Sequence, residues 1–167
     1  INIRYVPLDD AFNKTIKYLS DYIIAIIAII ITSPIMIITA IAIKLTSPGP
    51  IIFKQERIGY HGEPFNMYKF RSMRVQSPSD EKSEWTTKDD PRKTKVGDII
   101  RKTSIDELPQ FFNVLKGEMS VVGPRPERPV FVEQFEKEIE NYDYRFEVKA
   151  GLTSLSHVYG RYSTYIH

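Results

Sequence analysis

Apolar residues are concentrated in one run near the N-terminus of the chain. Residues 23–43 (IIAIIAIIITSPIMIITAIAI) contain no charged side chain, and almost every Lys, Arg, Asp and Glu lies before or after them. An α-helix needs about 20 apolar residues to cross a hydrocarbon core of about 30 Å. The pattern therefore predicts a membrane segment over residues 23–45 and a polar domain over residues 46–167.

Two features of this run favour a hairpin that enters and leaves the membrane on one side. Pro34 has no N–H to donate and its ring crowds a preceding carbonyl, so we expect a kink at Ser33-Pro34, where Thr32 and Ser33 can bond the freed carbonyls. Cations flank both ends of the run: Lys14, Lys17, Lys44, Lys54 and Arg57. Since cationic flanks prefer the cytoplasm, both ends are expected there. A kinked helix that crosses the membrane completely is the alternative.

Upstream of the run, residues 1–22 predict a linker and an amphipathic helix. Leu8, Phe12, Ile16 and Leu19 recur at nearly helical spacing, with polar residues on the other faces. Two placements stay open for this helix. It either lies in the membrane interface or packs on the polar domain.

Short, mixed elements are predicted in the polar domain. The segments IIFKQ and PFNMYKF, joined by GYHGE, favour a β-hairpin, and residues 76–95 favour a long surface loop. A short helix GDIIRK, a second helix starting near Ser104, a strand MSVVG, the turn PRPERP and a helix around 130–140 follow. From Val148 onward the pattern indicates irregular structure. The predicted fold class is a small α+β domain without a doubly wound sheet.

Composition excludes several classes of function. The chain has no cysteine, which excludes disulfides and thiol chemistry, and its net charge of +2 is too small to suggest a nucleic-acid binder. His61 and His157 have no second His or Cys at ligand spacing, so no zinc site is predicted. No Ser-His-Asp arrangement, P-loop or GxGxxG motif is visible.

The segment SIDELPQFFNVLKG (residues 104–117) contains two adjacent carboxylates, Asp106 and Glu107. Ser104 and Glu107 have the spacing of a capping box, which would explain both residues structurally. A carboxylate near a helix N-terminus also tends to stay ionised, and so to remain available as a nucleophile or metal ligand. One or two carboxylates are what Mg²⁺ bound to substrate phosphates usually takes from a protein. Both interpretations are compatible with the pattern.

Three cations are candidate partners for substrate phosphate: Lys69, Arg101 and Arg125. Arginine matches phosphate oxygens with a planar fork of donors. The prolines on either side of Arg125, in GPRPE, restrict the backbone and would present its side chain at a set angle. Each cation alone is also explained as a solvated surface charge.

Several motifs resemble those of the bacterial sugar transferases called monotopic phosphoglycosyl transferases. They are LTSPGPIIFKQERIG, KFRSM, DPRKTKVGDIIRKTSIDELPQFFNVLKGEMSVVGPRPE and the weaker KAGLTSLSHVYGR. The resemblance covers roughly residues 12–162, and the block over residues 94–127 is its most specific part. In the last motif this chain has Ala150, Ser154 and His157 where family members usually have Pro, Gly and Gln, which places the local role of that motif in doubt.

The resemblance implies a reaction and a role for each site residue. A sugar phosphate passes from a nucleoside diphosphate sugar, typically a UDP-sugar, to polyprenyl phosphate in the membrane, with release of UMP. By this analogy Asp106 is the nucleophile of a ping-pong mechanism and Glu107, with Asp106 beside it, holds Mg²⁺. The implied phosphate-binding residues are Lys69, Arg101 and Arg125, and the implied nucleotide-binding turn is Pro124, Arg125, Pro126 and Glu127. Ser33 and Pro34 correspond to the break of a re-entrant membrane helix.

The resemblance also implies the setting of the enzyme. We expect a catalytic domain on the cytoplasmic face of the bacterial inner membrane, in contact with membrane lipid and acting at the first membrane step of glycan assembly. Family members generally continue beyond the last motif, so the C-terminus is expected to be incomplete, and extra N-terminal modules and a homo-oligomer stay open. The alternatives are a membrane-associated nucleotide-sugar hydrolase and a non-catalytic anchor for anionic lipid. The sequence does not identify the sugar or the glycan pathway.

Overall fold

The computed structural model describes residue 8, residues 10–74 and residues 92–154. Three predictions lie wholly or mainly outside these residues: the linker at 1–7, the loop at 76–95 up to residue 91, and the end of the chain from 155, which includes His157. All structural statements below concern the described part.

The described chain alternates short helices and strands after one long helix. The helices are α1 (Ala11–Thr46), α2 (Lys95–Lys102), α3 (Gln110–Leu115) and α4 (Pro129–Glu138), and the strands are β1 (Ile52–Ile58), β2 (Pro64–Phe70), β3 (Ser120–Val122) and β4 (Gly151–Thr153). Strands β1 and β2 form the predicted antiparallel hairpin, and β3 pairs with β4 in parallel. This mixture of helix and two-stranded sheets confirms the predicted α+β class without a doubly wound sheet.

Helix α1 joins the predicted amphipathic segment and the apolar run into one continuous element of 36 residues. The side chain of Asp10 caps its first turn by accepting a hydrogen bond from the Phe12 N–H at 3.0 Å. Pro34 lies inside the helix, and the Ser33 hydroxyl donates to the Ile30 carbonyl, the one that proline leaves without its usual donor, at 2.9 Å. By length and composition α1 could cross a membrane.

Most apolar side chains of α1 face away from the domain. In its first turns Phe12, Ile16 and Leu19 are 70%, 51% and 59% exposed, while the other side of the same turns contacts the domain through Lys14, bonded to Tyr60, and Lys17, bonded to Ser120. The buried residues of the helix are Asp21, Ala25, Thr39 and Ile43. Two polar residues, one alanine and one isoleucine are therefore buried against the domain, and the other isoleucines cover the opposite face.

Two apolar clusters connect α1 to the rest of the fold. In the first cluster, Ala25 packs with Phe65 and Met67 of β2 and with Val114 of α3. In the second cluster, Ile43 packs with Phe70 and Ile100. Alternate residues of a strand share a face, so Lys69 lies on the same face of β2 as the buried Phe65 and Met67. This register directs a cation toward the interior.

Strand β4 corrects the prediction of irregular structure from Val148 onward. Residues 151–153 pair with β3 in parallel, with Ser120 opposite Gly151 and Val122 opposite Thr153. The pair requires glycine at the contact, because a Cβ added to Gly151 would lie 2.0 Å from the Gly123 nitrogen. A three-residue strand that depends on a distant partner leaves no periodic signal of its own.

Candidate active site

One cavity of about 440 Å³ contains five of the six charged site residues predicted from sequence, all except Glu127. Its lining consists of Lys69, Arg101, Ser104, Asp106, Glu107, Leu108, Phe111, Arg125, Leu152 and Thr153. These residues come from β2, the last turn of α2, the segment before α3, α3 itself, the turn after β3, and β4. Charges that are up to 56 positions apart in sequence therefore meet at one place, as Lys69 and Arg125 do.

The acidic pair lies on a short 3₁₀ turn, Ile105–Glu107, which precedes α3. The predicted capping box is wrong: Ser104 adopts a left-handed conformation with φ of 56°, and its side chain makes no capping hydrogen bond. The left-handed residue lets the chain reverse direction directly after α2. The Glu107 carboxylate, freed from a capping role, turns into the cavity.

Glu107 is held by two cations. Its Oε1 lies 2.7 Å from Lys69 Nζ and 3.5 Å from Arg125 Nη2. Burial lowers the pKa of Lys69, and the charge of Glu107 counteracts that effect. The lysine and the glutamate therefore stabilise each other's ionised forms in a poorly solvated place.

Asp106 is in a different situation from its neighbour. It is 9% exposed, and burial raises its pKa, with a further contribution from the Glu107 charge, while Lys69 and Arg101 act in the opposite direction. Burial thus opposes the effect expected of a helix N-terminus, which favours the ionised form of this carboxylate. A weakly solvated carboxylate is a stronger nucleophile once it is ionised.

The GPRPE turn contributes only one side chain to the cavity. Arg125 lines it, whereas Pro124, Pro126 and Glu127 lie outside the lining. The Glu127 carboxylate instead lies 3.6 Å from Arg57 Nη1. Of the four predicted nucleotide-binding residues, the structure brings Arg125 to the acidic pair and uses the others to shape the turn.

An apolar wall completes the cavity and was missed from sequence. Leu108 and Phe111 follow the acidic pair in the next helical turn, and Leu152 and Thr153 come from β4. Leu108 and Phe111 could have been predicted, because residues one turn apart share a helix face. Leu152 and Thr153 carried no signal, since their position depends on the pairing of β4 with β3.

The acidic pair suits Mg²⁺ by the chemistry of its donors. Carboxylate oxygens are hard ligands, and a Mg²⁺ ion that also binds substrate phosphates needs only one or two of them. The described residues contain no group of three or more His, Cys, Asp or Glu that could hold a metal by itself. Two carboxylates are sufficient for an ion that arrives with a phosphate ligand.

Comparison with known proteins identifies relatives that cover almost the whole chain. The chain is 45% identical over 162 residues to the UDP-glucose:undecaprenyl-phosphate glucose-1-phosphate transferase of Escherichia coli (strain K12), covering 95% of this chain and 35% of that protein. It is 49% identical over 148 residues to the UDP-N-acetylgalactosamine-undecaprenyl-phosphate N-acetylgalactosaminephosphotransferase of Aeromonas hydrophila, covering 89% and 35%.

A third relative is closer in length. The putative undecaprenyl-phosphate N-acetylgalactosaminyl 1-phosphate transferase of Bacillus subtilis (strain 168) is 50% identical over 139 residues, which cover 79% of this chain and 76% of that protein. The chain thus spans about a third of the length of the first two relatives. Residues 12–167 also match the family described as bacterial sugar transferase. The chain belongs to the bacterial sugar transferase family.

Proposed function

We propose that this protein transfers a sugar phosphate from a UDP-sugar to a polyprenyl phosphate, such as undecaprenyl phosphate, and releases UMP. The observation that carries the proposal is the cavity in which Asp106 and Glu107 face Lys69, Arg101 and Arg125. A carboxylate pair beside three cations matches the needs of a diphosphate, whose negative charge must be neutralised before an anion can attack it. The relatives are named for transfer of a sugar phosphate to undecaprenyl phosphate, which supports the same reaction.

In the first step Asp106 is the nucleophile. Its carboxylate oxygen forms a bond to the sugar-linked phosphorus, the bond from that phosphorus to the bridging oxygen breaks, and UMP leaves with the bridging oxygen. The buried position of Asp106 favours attack, because few waters stabilise its ground state or compete for the phosphosugar. Lys69 and Arg101 favour the ionised form of Asp106 that the step requires.

In the second step an oxygen of polyprenyl phosphate attacks the same phosphorus. The bond to Asp106 breaks, the carboxylate is regenerated, and the product is a polyprenyl diphosphate sugar. Glu107 and Asp106 would hold Mg²⁺, which neutralises phosphate charge when it is bound. Arg125 and Lys69 place positive charge around the transferred group and keep Glu107 oriented.

We infer that the protein lies on the cytoplasmic face of the bacterial inner membrane, where it catalyses the first membrane step in building a glycan. The acceptor has its phosphate at headgroup level and the donor is dissolved in water. A cavity just above the membrane interface can meet both substrates in turn. The exposed isoleucines of α1 support lipid contact on that helix.

We also infer that α1 enters and leaves the membrane on the same side. Ala25 and Ile43 lie at opposite ends of the apolar run, yet both pack against the same polar domain. A polar domain occupies one side of a membrane, so these contacts favour both ends of the run on that side. The Ser33 hydroxyl, bonded beside Pro34, supplies the hydrogen bonding that a bend there requires.

The decisive assay offers the full chain undecaprenyl phosphate, Mg²⁺ and one UDP-sugar at a time. UDP-glucose and UDP-N-acetylgalactosamine come first, because the relatives are named for these two sugars. The proposal predicts UMP release together with labelled sugar phosphate in the lipid extract. Label that appears only as free sugar phosphate in water would indicate a hydrolase, and lipid binding without turnover would indicate a non-catalytic anchor.

The topology has its own test. Single cysteines at Lys14 and Lys54 flank the run, and the chain has no native cysteine to interfere. In right-side-out vesicles and in inverted vesicles, an impermeant thiol reagent should label both positions only from the cytoplasmic side. Labelling from opposite sides would contradict the hairpin and establish a helix that crosses the membrane.

A further inference from the structure

The turn over residues 124–127 places Arg125 at the cavity, and its backbone is held in an unusual way. All four consecutive carbonyls of the turn accept a hydrogen bond from elsewhere in the fold. Pro124 and Pro126 have no N–H, so the turn cannot form the ladder of a helix or a central strand by itself. Buried carbonyls without donors cost free energy, so donors must come from other elements.

Two of the four donors belong to the backbone of neighbouring strands. The Gly151 N–H donates to the Pro124 carbonyl at 2.8 Å, and the Ile58 N–H donates to the Glu127 carbonyl at 3.0 Å. These contacts fix the two ends of the turn against β4 and β1. Both are bonds between backbone groups, and they last only while the turn keeps its conformation.

The two central carbonyls are held by arginine side chains. Arg57 Nη1 donates to the Pro126 carbonyl at 3.1 Å, and Arg145 Nη2 donates to the Arg125 carbonyl. The side chain of Arg125 leaves the backbone directly before the first of these two carbonyls and reaches Glu107. The centre of the turn thus depends on two residues that do not line the cavity.

Both arginines are themselves fixed. Arg57 is largely covered by the fold, donates to Gln55 Oε1 at 2.6 Å and lies beside Glu127. Desolvation lowers its pKa to about 10, which leaves it charged at neutral pH. Arg145 lies over the ring of Tyr142 at 4.6 Å and donates to its hydroxyl. Tyr142 in turn packs on Phe135 of α4 at a ring separation of 5.4 Å.

We propose that Arg57 and Arg145 are positioning residues, which hold the carbonyls of Pro126 and Arg125 so that the Arg125 guanidinium meets the phosphates of the donor. The proposal rests on the proposed function for the identity of that ligand. If the turn loosens, Arg125 samples positions away from the donor, and the affinity for the donor decreases. The polyprenyl phosphate enters after UMP has left and is expected to be less affected.

The test compares Arg145→Gln and Arg145→Lys with Arg128→Gln in the full chain. Arg128 lies beside the turn, over the Phe131 ring at 5.5 Å, so its replacement removes the same charge nearby. Arg145→Gln should raise the KM for the UDP-sugar roughly tenfold and leave the KM for undecaprenyl phosphate within about twofold. Arg145→Lys, which keeps one charged donor, should recover part of the loss, and Arg128→Gln should resemble the wild type.

Hydrogen exchange gives a readout that does not depend on turnover. In Arg145→Gln the Gly151 and Ile58 amides, which bond the turn, should exchange faster, while the Arg71 amide, bonded to the Ile51 carbonyl, should not change. Unchanged exchange at Gly151 and Ile58 would overturn the positioning role. Faster exchange with an unchanged donor KM would overturn it too. A wild type that releases no UMP while exchange responds would instead count against the proposed function.

Discussion

The outer face of α1 and the floor of the cavity differ in what they expose and what they bury. Ile30 and Ile31 on α1 are 66% and 70% exposed, whereas Asp106 in the cavity is 9% exposed. Exposed isoleucines are stable when lipid covers them, and a buried carboxylate is tolerated when cations surround it. The exposed isoleucines of the helix are therefore stabilised only by an apolar environment outside the protein, whereas the buried carboxylate is stabilised by cations of the fold itself.

The inner face of α1, like the cavity, contains a buried carboxylate that is stabilised by its partners. Asp21 is 4% exposed and accepts hydrogen bonds from Lys17, Ser120 and the Val121 N–H. This cluster connects α1 to β3, which leads into the turn that carries Arg125. The helix thus exposes an apolar face on one side and contacts the rest of the fold through Asp21, Ala25, Thr39 and Ile43 on the other.

The strongest test of the cavity is Asp106→Asn. The amide keeps the shape of the side chain but removes the proposed nucleophile, so UMP release should fall at least about 10³-fold. Intact-mass spectrometry after incubation with the donor alone should find the phosphosugar adduct on the wild type and none on the variant. A variant that still forms the adduct would assign the nucleophile to another residue.

The counter-ion of Glu107 comes next in expected effect. Lys69→Met keeps the length of the side chain and leaves Glu107 with one cation fewer in a poorly solvated place, so UMP release should fall about 10- to 100-fold. The matched control is Lys102→Met, whose amine pairs with Asp98 on the surface at 2.6 Å. That pair is exposed, and its loss should leave activity within about twofold. Equal losses in both variants would contradict a specific role for Lys69.

The inner and outer faces of α1 can be compared directly in detergent. Asp21→Ala removes the carboxylate that pairs with Lys17 and accepts from the Val121 N–H, and should lower the free energy of unfolding by about 2–4 kcal/mol. Ile30→Ala removes an exposed side chain and should change it by less than about 0.5 kcal/mol. Thermal unfolding in micelles measures both. A similar loss in the two variants would mean that the outer face also packs on protein.

The pH dependence of turnover gives a smaller but direct measure of burial. Because burial raises the pKa of Asp106, the nucleophile is lost on acidification at a higher pH than an exposed aspartate would be. Rates of UMP release should therefore fall as pH drops through that raised pKa. Lys69 lowers the pKa of Asp106, so in Lys69→Met the acid limb should move to still higher pH. An acid limb at the pKa of an exposed aspartate, about 3.9, would contradict the burial argument.

The raised pKa of Asp106 also predicts that Asp106→Asn increases the stability of the protein, although it decreases activity. A raised pKa means that the charged form of Asp106 destabilises the fold at neutral pH, and this cost vanishes below the pKa of the unfolded chain. Asp106→Asn should therefore raise the thermal midpoint at pH 7 to 8, and the gain should shrink on acidification. A lower midpoint at neutral pH would indicate that the charge contributes to the fold.

Local pattern was sufficient for the elements whose stability is local. The hairpin of β1 and β2 and the helix GDIIRK follow from strand composition, turn residues and helix periodicity. Strand β4 was missed because three residues pair only through a contact with β3, about 30 positions away. The capping box failed for a related reason: Ser104 and Glu107 have the right spacing, but Lys69 and Arg125 compete for the carboxylate.

By itself the sequence determined the apolar run with its Ser33-Pro34 step, the order of the short elements and the candidate charges of the cavity. These depend on residue type and spacing within a few turns of chain. Only the tertiary structure decided which charged residues pair. Glu107 pairs with Lys69 and Arg125, and Asp106 is buried beside them. The electrostatic environment of a residue depends on distances and burial in three dimensions, and neither can be inferred from the residues next to it in sequence.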